Sequence, residues 1–434
     1  MPVRQAFIGI DVGTSGVRAC AIDARETELA SAATLLPAPE RDGAGVEQDP
    51  VVWWQALCDT LDRLSAALPG VQVVRIALDG TSSTLLLCKP DGTPLTRALM
   101  YNDARAIQAA EQIDAAAPEN CAARGASASL AKYLFLREQL DSPESSQAIP
   151  LHQADWLTGK LTGQFCYSDE NNALKLGYDP QQRHWPPWLN KLGIDISALP
   201  EVVAPGTPIG YLLDNLAKRW NWPGAQLVAG TTDSTAGFLA TGATQTGTGV
   251  TSLGSTLVIK VLSDQPVFDA GHGIYSHRLG DRWLAGGASN AGGAILKHYF
   301  SRCDIHRYSR LLDPAHPTGL DYYPLPAPGE RFPVADPTLA PRLTPRPSSD
   351  RVFFQGILEG LANIEAEAYR LLHTCGAPAP TRILSVGGGA HNTRWEILRA
   401  KKLGIPVSRA LHSEAAFGAA RLARGILRGT LAEV

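Results

Sequence analysis

Charge is scarce in this chain. Charged residues make up 19% of its 434 residues, against about 25% in an average domain, while apolar residues reach 44%. A disordered chain would show the reverse balance and is excluded. Lys and Arg total 39 and Asp and Glu total 42, leaving a net charge of −3. No basic field is available to hold a phosphate backbone, which argues against a nucleic-acid partner. No apolar run approaches the ~18 residues of a membrane-spanning helix. The opening stretch MPVRQAFIGIDVGTSG has an apolar run too short for a signal-peptide core, and that run ends in Asp11. With no Ser- and Arg-rich leader ahead of it, a cytoplasmic location is expected. The seven cysteines (Cys20, Cys58, Cys88, Cys121, Cys166, Cys303 and Cys375) are odd in number and never spaced as CxxC. Buried reduced thiols are therefore expected, rather than a disulfide framework or a zinc site. The P-loop pattern GxxxxGK[ST], a GxGxxG after the first strand and HExxH are all missing.

What is present is a repeated pattern of strands that run into small-residue turns. Residues 6–11 read as a strand, followed by the turn Asp11-Val12-Gly13-Thr14-Ser15-Gly16 and a second strand at 17–23. Asp49 and Pro50 read as the N-cap and first residue of a helix over 49–64, with Trp53, Leu57, Leu61 and Leu64 on one face. A strand at 73–78 opens into Asp79-Gly80-Thr81-Ser82, and 84–99 read as a hairpin around the turn PDG. Helices are expected over 127–139 and 151–162, and a strand at 227–229 runs into Gly230-Thr231-Thr232-Asp233. The second half begins like the first: a strand at 250–253, the turn Gly254-Ser255-Thr256 and a strand at 257–261. A proline-rich excursion over 319–348 follows, then a helix at 355–372 and a strand at 383–386 that ends in Gly387-Gly388-Gly389. A helix capped near Asn392, a strand at 405–407 and a small-residue helix over 413–427 complete the chain. The length alone predicts roughly three domains. The paired glycine-turn hairpins reduce this to two large α/β domains, with a cleft between the halves.

Glycine lets backbone N–H groups approach a phosphate, and Ser and Thr add hydroxyl donors. One such turn is ordinary; five at strand ends point to phosphate handling. Asp11, at the end of a buried strand, can hold Mg²⁺ through water, or it can simply bond its own turn. Asp233 reads either as the N-cap of the following helix or as a general base for an attacking hydroxyl. Arg18 reads either as a charge partner for phosphate or as a solvent-facing strand residue.

Together these segments resemble the FGGY family of carbohydrate kinases, over essentially the whole chain. IGIDVGTSGVRA resembles the family's first phosphate loop, VEQDPVVWWQAL its early helix and GTTDS the segment of its catalytic Asp. SASLAKYLFLREQ is similar to a family signature, with Phe135 where Trp is usual. TSLGST resembles the second phosphate loop, and PGERFP and GGGAHNTRW the late substrate-domain and adenosine segments. The resemblance implies two ribonuclease-H-like (actin-like ATPase) domains around a central catalytic cleft, with ATP- and Mg²⁺-dependent phosphorylation of a sugar or polyol hydroxyl. It implies an N-terminal domain of residues 1–240 plus 414–434 that binds sugar and carries the first phosphate loop. Residues 241–413 would form a nucleotide-binding C-terminal domain. IALDGTSSTLLLC, SDENNALKLGY, GLDYYPLP and VTSLGSTLVIK are similar to the short D-ribulose kinase branch of cyanobacteria and plants, as is the length.

Carried over by residue, the resemblance makes Asp233 the catalytic base. It places Asp11 near the metal and the sugar, with Asp233 also on the metal side. Ser15, Gly16, Arg18 and Ser82 join Asp11 and Asp233 in binding the sugar. Gly13, Thr14, Ser15, Gly254, Ser255 and Thr256 would bind the ATP phosphates, and Gly388, Gly389, Asn392 and Trp395 the adenosine. The expected reaction is D-ribulose to D-ribulose 5-phosphate. The alternatives are D-xylulose, L-ribulose or a polyol as acceptor, and a non-catalytic actin-like ATP-binding protein. The expected partners are the small-molecule sugar and ATP, with no nucleic acid and no membrane.

Overall fold

The computed structural model describes residues 4–141 and 147–427; the last seven residues of the expected 414–434 segment lie outside them. The chain divides into two compact units. The first holds Met1–Ala240, His277–Gly280 and His412–Val434, and the second Thr241–Ser276 and Asp281–Leu411.

The first unit is built on a six-stranded sheet. Its strands are β1 (Gln5–Val12), β2 (Gly16–Ile22), β3 (Glu28–Leu35), β4 (Gln72–Gly80), β5 (Pro208–Tyr211) and β6 (Gln226–Thr232), in the spatial order β5-β6-β4-β1-β2-β3. β1, β2 and β3 form an antiparallel meander, while β1, β4 and β6 run parallel. Parallel neighbours in register point their side chains to one face, so β1 and β4 bring Asp11 opposite Asp79. β3 is not legible in the sequence: its residues ELASAATL alternate only weakly in burial, and Ala and Glu do not favour strands.

Helix α1 (Pro50–Ala66) starts as expected. The Asp49 carboxylate accepts from Val51 N, Pro50 occupies the first turn, and Trp53, Leu57, Leu61 and Leu64 are buried. Helix α2 is Ser129–Glu138. The helix expected over 151–162 is shorter, because Ile149–His152 is a strand pairing with Leu85–Cys88, and helix α3 begins at Gln153 and runs to Thr162. Helix α4 (Asp233–Ala240) follows β6 directly. Against it lies the helix Ala415–Arg424, and the approach is close: a Cβ at Gly418 would stand 1.8 Å from Ala236 O, and one at Gly9 2.0 Å from Ala416 O. The small-residue run of the last helix therefore seats it on both β1 and α4.

The second unit repeats the arrangement. Its sheet contains β7 (Thr248–Leu253), β8 (Leu257–Ser263), β9 (Arg282–Ser289), β10 (Arg382–Val386) and β11 (Val407–Arg409), in the order β9-β8-β7-β10-β11. Again three antiparallel strands adjoin two further strands parallel to the first. Helices α5 (Asp350–Thr374) and α6 (Thr393–Leu403) pack on this sheet. The 319–348 excursion is irregular, carrying only the isolated bridges Tyr323↔Arg342 and Glu330↔Asp336. All seven cysteines are free: Cys20, Cys58 and Cys88 are buried as expected, whereas Cys166 and Cys303 are exposed. Among the described residues no helix is long and apolar enough to cross a membrane.

Candidate active site

Two of the five small-residue turns are strand ends rather than loops. Asp79 and Gly80 still belong to β4, and Gly230, Thr231 and Thr232 to β6. This extension of the strands builds an acidic centre in the first unit. Asp79 is fully buried, flanked in register by Asp11 on β1 and Thr231 on β6. Asp11 is mostly buried and faces Arg18 across the hairpin, with Arg18 Nη1 at 3.2 Å from Asp11 Oδ2. Burial pushes the Asp11 carboxyl up, and Arg18 opposes this by charge and hydrogen bonding. Neither Asp79 oxygen has a hydrogen-bond partner among the described residues, and Asp11 stands opposite it in the strand register. Burial raises the Asp79 carboxyl well above the usual carboxylate range, and the charges of Asp11 and Asp233 add to that. In the sequence Asp79 stands only as a member of a small-residue turn. The signal was its position, the last residues of a buried strand, the same as that of Asp11.

Asp233 is the first residue of α4, half-buried, with Oδ1 accepting from Ser234 N at 2.6 Å. The first turn is tight: Gly13 N donates to Gly16 O at 3.1 Å, and a Cβ at Gly16 would stand 2.7 Å from Thr34 O. Gly13 and Thr14 are half-buried and Ser15 is exposed. Ser82 is half-buried too, in a turn whose other members are buried. β6 is braced beside this centre by Asn171, whose Nδ2 donates to Thr231 Oγ1 at 3.0 Å.

Asn171 belongs to the segment SDENN, where Asp169 accepts from Asn171 N, Asn172 N and Asn172 Nδ2 at 2.8, 3.1 and 2.6 Å. Burial pushes the Asp169 carboxyl up to about 7, with the charge of Asp155 adding, although those donors pull it down. A carboxyl raised in the folded state contributes stability that is complete below its unfolded value of about 4 and lost as pH rises. The window here is therefore pH 4 to 7. Thermal denaturation should show the wild-type melting temperature falling more steeply across this window than that of Asp169→Asn; parallel curves would refute the assignment.

In the second unit the turn after β7 and the glycines after β10 meet. Cβ atoms built at Gly387 and Gly389 would stand 3.1 and 2.8 Å from Leu253 atoms. The turn Gly254–Thr256 rests on Gly292 and Gly293, with Gly293 N donating to Gly254 O at 2.8 Å. These two glycines were missed in the sequence, where GG between a strand and a helix was the available sign. Gly388 has open space on its Cβ side. Asn392 caps α6, its Oδ1 accepting from Trp395 N at 3.1 Å. Trp395 is a core residue: it is buried under Gly389 and its Nε1 donates to Leu358 O. It can support the glycine turn but offers no free indole N–H to a ligand.

Among the described residues no three His, Cys, Asp or Glu side chains gather to hold a metal ion. Mg²⁺ in a phosphate-transfer role keeps several waters and takes one or two carboxylates plus phosphate oxygens. Asp11 is suited to such a part, with the donor-less Asp79 carboxyl beside it.

Paired sheets of this topology, each with glycine-rich turns at strand ends, define a two-domain α/β fold of the actin and sugar-kinase type. The profile "FGGY family of carbohydrate kinases, N-terminal domain" matches residues 6–240, and that of the C-terminal domain residues 249–424. The chain belongs to the FGGY family and is an ATP-dependent sugar kinase. It is 26% identical to the xylulose kinase of Escherichia coli (strain K12), over 96% of this chain and 89% of that protein. It is 28% identical to the xylulose kinase of Streptomyces rubiginosus, over 97% and 88%. The crystal structure of a xyloylose kinase from Brucella ovis superposes with a TM-score of 0.88 at 25% identity, covering 98% of this chain and 91% of that one.

These similarities overturn the expected D-ribulose kinase branch. Parts of two of the segments that pointed there serve the fold. Leu85–Cys88 of IALDGTSSTLLLC is wholly buried, and SDENN braces β6 from within the core. Core packing constrains such segments whatever sugar is bound. Length does not separate the branches either, because the chain spans nearly nine-tenths of its xylulose kinase relatives.

Proposed function

We propose that this chain transfers the γ-phosphoryl group of ATP to the terminal hydroxyl of a ketopentose, D-xylulose. The observation that carries the reading is the end-to-end similarity to xylulose kinases. In this reading the first unit handles the sugar, through Asp11, Ser15, Gly16, Arg18, Ser82 and Asp233, with Gly13, Thr14 and Ser15 along the phosphate path. The second unit handles the nucleotide, through Gly254, Ser255, Thr256, Gly388, Gly389 and Asn392, with Trp395 as their support. Phosphoryl transfer requires an in-line hydroxyl, charge neutralisation and exclusion of water more than covalent chemistry. Asp233 Oδ accepts the proton of the attacking hydroxyl. Arg18 holds the Asp11 carboxylate in place, and Asp11 would hold the Mg²⁺ that ATP brings. Bound Mg²⁺ would neutralise phosphate charge.

A coupled ADP-release assay over D-xylulose, D-ribulose, L-ribulose and a set of polyols tests the substrate. D-Xylulose should give the highest kcat/KM. A higher value for any other member would overturn the assignment while leaving the sugar-kinase class intact.

A further inference from the structure

The segment PGERFP buries a carboxylate in the second unit. Glu330 is 3% exposed. Its Oε2 accepts from Ser289 Oγ at 2.6 Å and from Tyr323 Oη at 3.1 Å, and its Oε1 from Asn290 N at 2.7 Å and from Arg331 N at 2.9 Å. These donors are all neutral. Burying a carboxylate is costly unless hydrogen bonds replace its water, and here four of them do. The Glu330 backbone is fixed as well: its N–H donates to Asp336 O at 2.8 Å, and its carbonyl accepts from Asp336 N at 2.9 Å. Phe332 anchors the segment, fully buried against Gly287 of β9, where a Cβ would stand 2.6 Å from the ring.

What this carboxylate orders is the turn after β9. Ser289, the last residue of that strand, gives its hydroxyl proton to Glu330, which leaves its oxygen to accept from Ala291 N at 3.0 Å. Asn290 is held twice, by its N–H on Glu330 Oε1 and by its Nδ2 on Gly329 O at 3.0 Å. The residues fixed in this way reach the turn Gly254–Thr256 through the backbone. Ala291 O accepts from Leu257 N at 2.8 Å, Gly293 N donates to Gly254 O at 2.8 Å, and Ala294 N donates to Ser255 O at 3.1 Å. The approach is one that glycine permits, since a Cβ at Gly292 would stand 2.5 Å from Ser255 O. While these two carbonyls are taken up, the N–H groups of Ser255 and Thr256 have no acceptor among the described residues. Successive N–H groups left open in a turn make an anion-binding concavity.

We infer that Glu330 is the positioning residue of the nucleotide turn. It acts through Ser289, Asn290 and Ala291, which hold Gly254–Thr256 with its N–H groups open to a phosphate. This inference rests on the kinase reading and adds to it a residue from a segment whose resemblance pointed to the substrate domain.

The test compares Michaelis constants, read with whichever sugar the wild-type enzyme phosphorylates best. Wild-type turnover of ATP decides the kinase reading before any variant is compared, so the two can fail separately. Glu330→Ala should raise the ATP KM by about tenfold and leave the sugar KM within about twofold. The Kd of ADP, measured by titration calorimetry without sugar, should rise in parallel. Glu330→Gln keeps an acceptor for Asn290 N and should recover part of the loss. Ser289→Ala leaves the carboxylate in place, removes its link to Ala291 and should raise the ATP KM by about threefold. An unchanged ATP KM in folded Glu330→Ala would overturn the inference, as would an equal rise in both constants. Should Glu330→Ala fail to fold, Ser289→Ala decides by the same two outcomes.

Discussion

Asp233→Asn should lower kcat by about 10²–10⁴-fold while leaving the melting temperature nearly unchanged. The side chains have the same shape, and Asn Oδ1 can still accept from Ser234 N as Asp233 Oδ1 does at 2.6 Å. What is lost is a charged acceptor for the proton of the attacking hydroxyl. A small stability change is expected at the first turn of α4, where a negative charge interacts favourably with the helix N-terminus by about 0.3–1 kcal/mol. The measurement is steady-state turnover with saturating ATP and sugar, alongside a thermal melt. A kcat within tenfold of wild type would remove Asp233 from the role of base. A large fall in melting temperature would instead assign it to the fold.

Arg399→Leu should destabilise the second unit by about 3–5 kcal/mol. Arg399 and Glu365 form a bidentate pair at 2.6 and 2.5 Å, each 1% exposed. Arg399 also donates to Ser385 Oγ on β10 at 2.7 Å, and Glu365 accepts from Thr251 on β7 at 2.5 Å. One buried network thus ties α5 and α6 to the two strands that carry the Gly254–Thr256 turn and the Gly387–Gly389 turn. Removing Arg399 leaves the Glu365 carboxylate buried without its partner, which accounts for the size of the effect. For a unit of this size the melting temperature should fall by roughly 6–20 °C. The double variant Arg399→Leu with Glu365→Leu should recover part of the loss, because two apolar side chains leave no unpaired charge. A single-variant loss below about 1 kcal/mol would show that water or a rearranged side chain compensates the pair. The ATP KM should rise in Arg399→Leu as well, through the two turns the network braces.

Much of the architecture was legible in the chain. Asp49-Pro50 marked the start of α1, and the Trp53, Leu57, Leu61 and Leu64 stripe marked its buried face, because capping and helical periodicity are local. The two glycine-turn hairpins were legible because turn chemistry needs only adjacent residues. Strands β3 and β9 were not: ELASAATL and RWLAGGAS are strands because a neighbouring ladder accepts their backbone groups. Pairing of that kind depends on residues distant in sequence.

The same division runs through the site. By itself the sequence determined the family, through motifs in a fixed order, and the candidate status of Asp11 and Asp233, through acids at the ends of buried strands. Only the tertiary structure decided that Asp79 faces Asp11, because strand register, unreadable from one strand alone, sets them side by side. It likewise buried Trp395 beneath Gly389. It also brought Lys132 and Gln153 to a turn some 50 and 70 residues earlier in the chain. Side chains this far apart in sequence meet only when helices pack on a sheet.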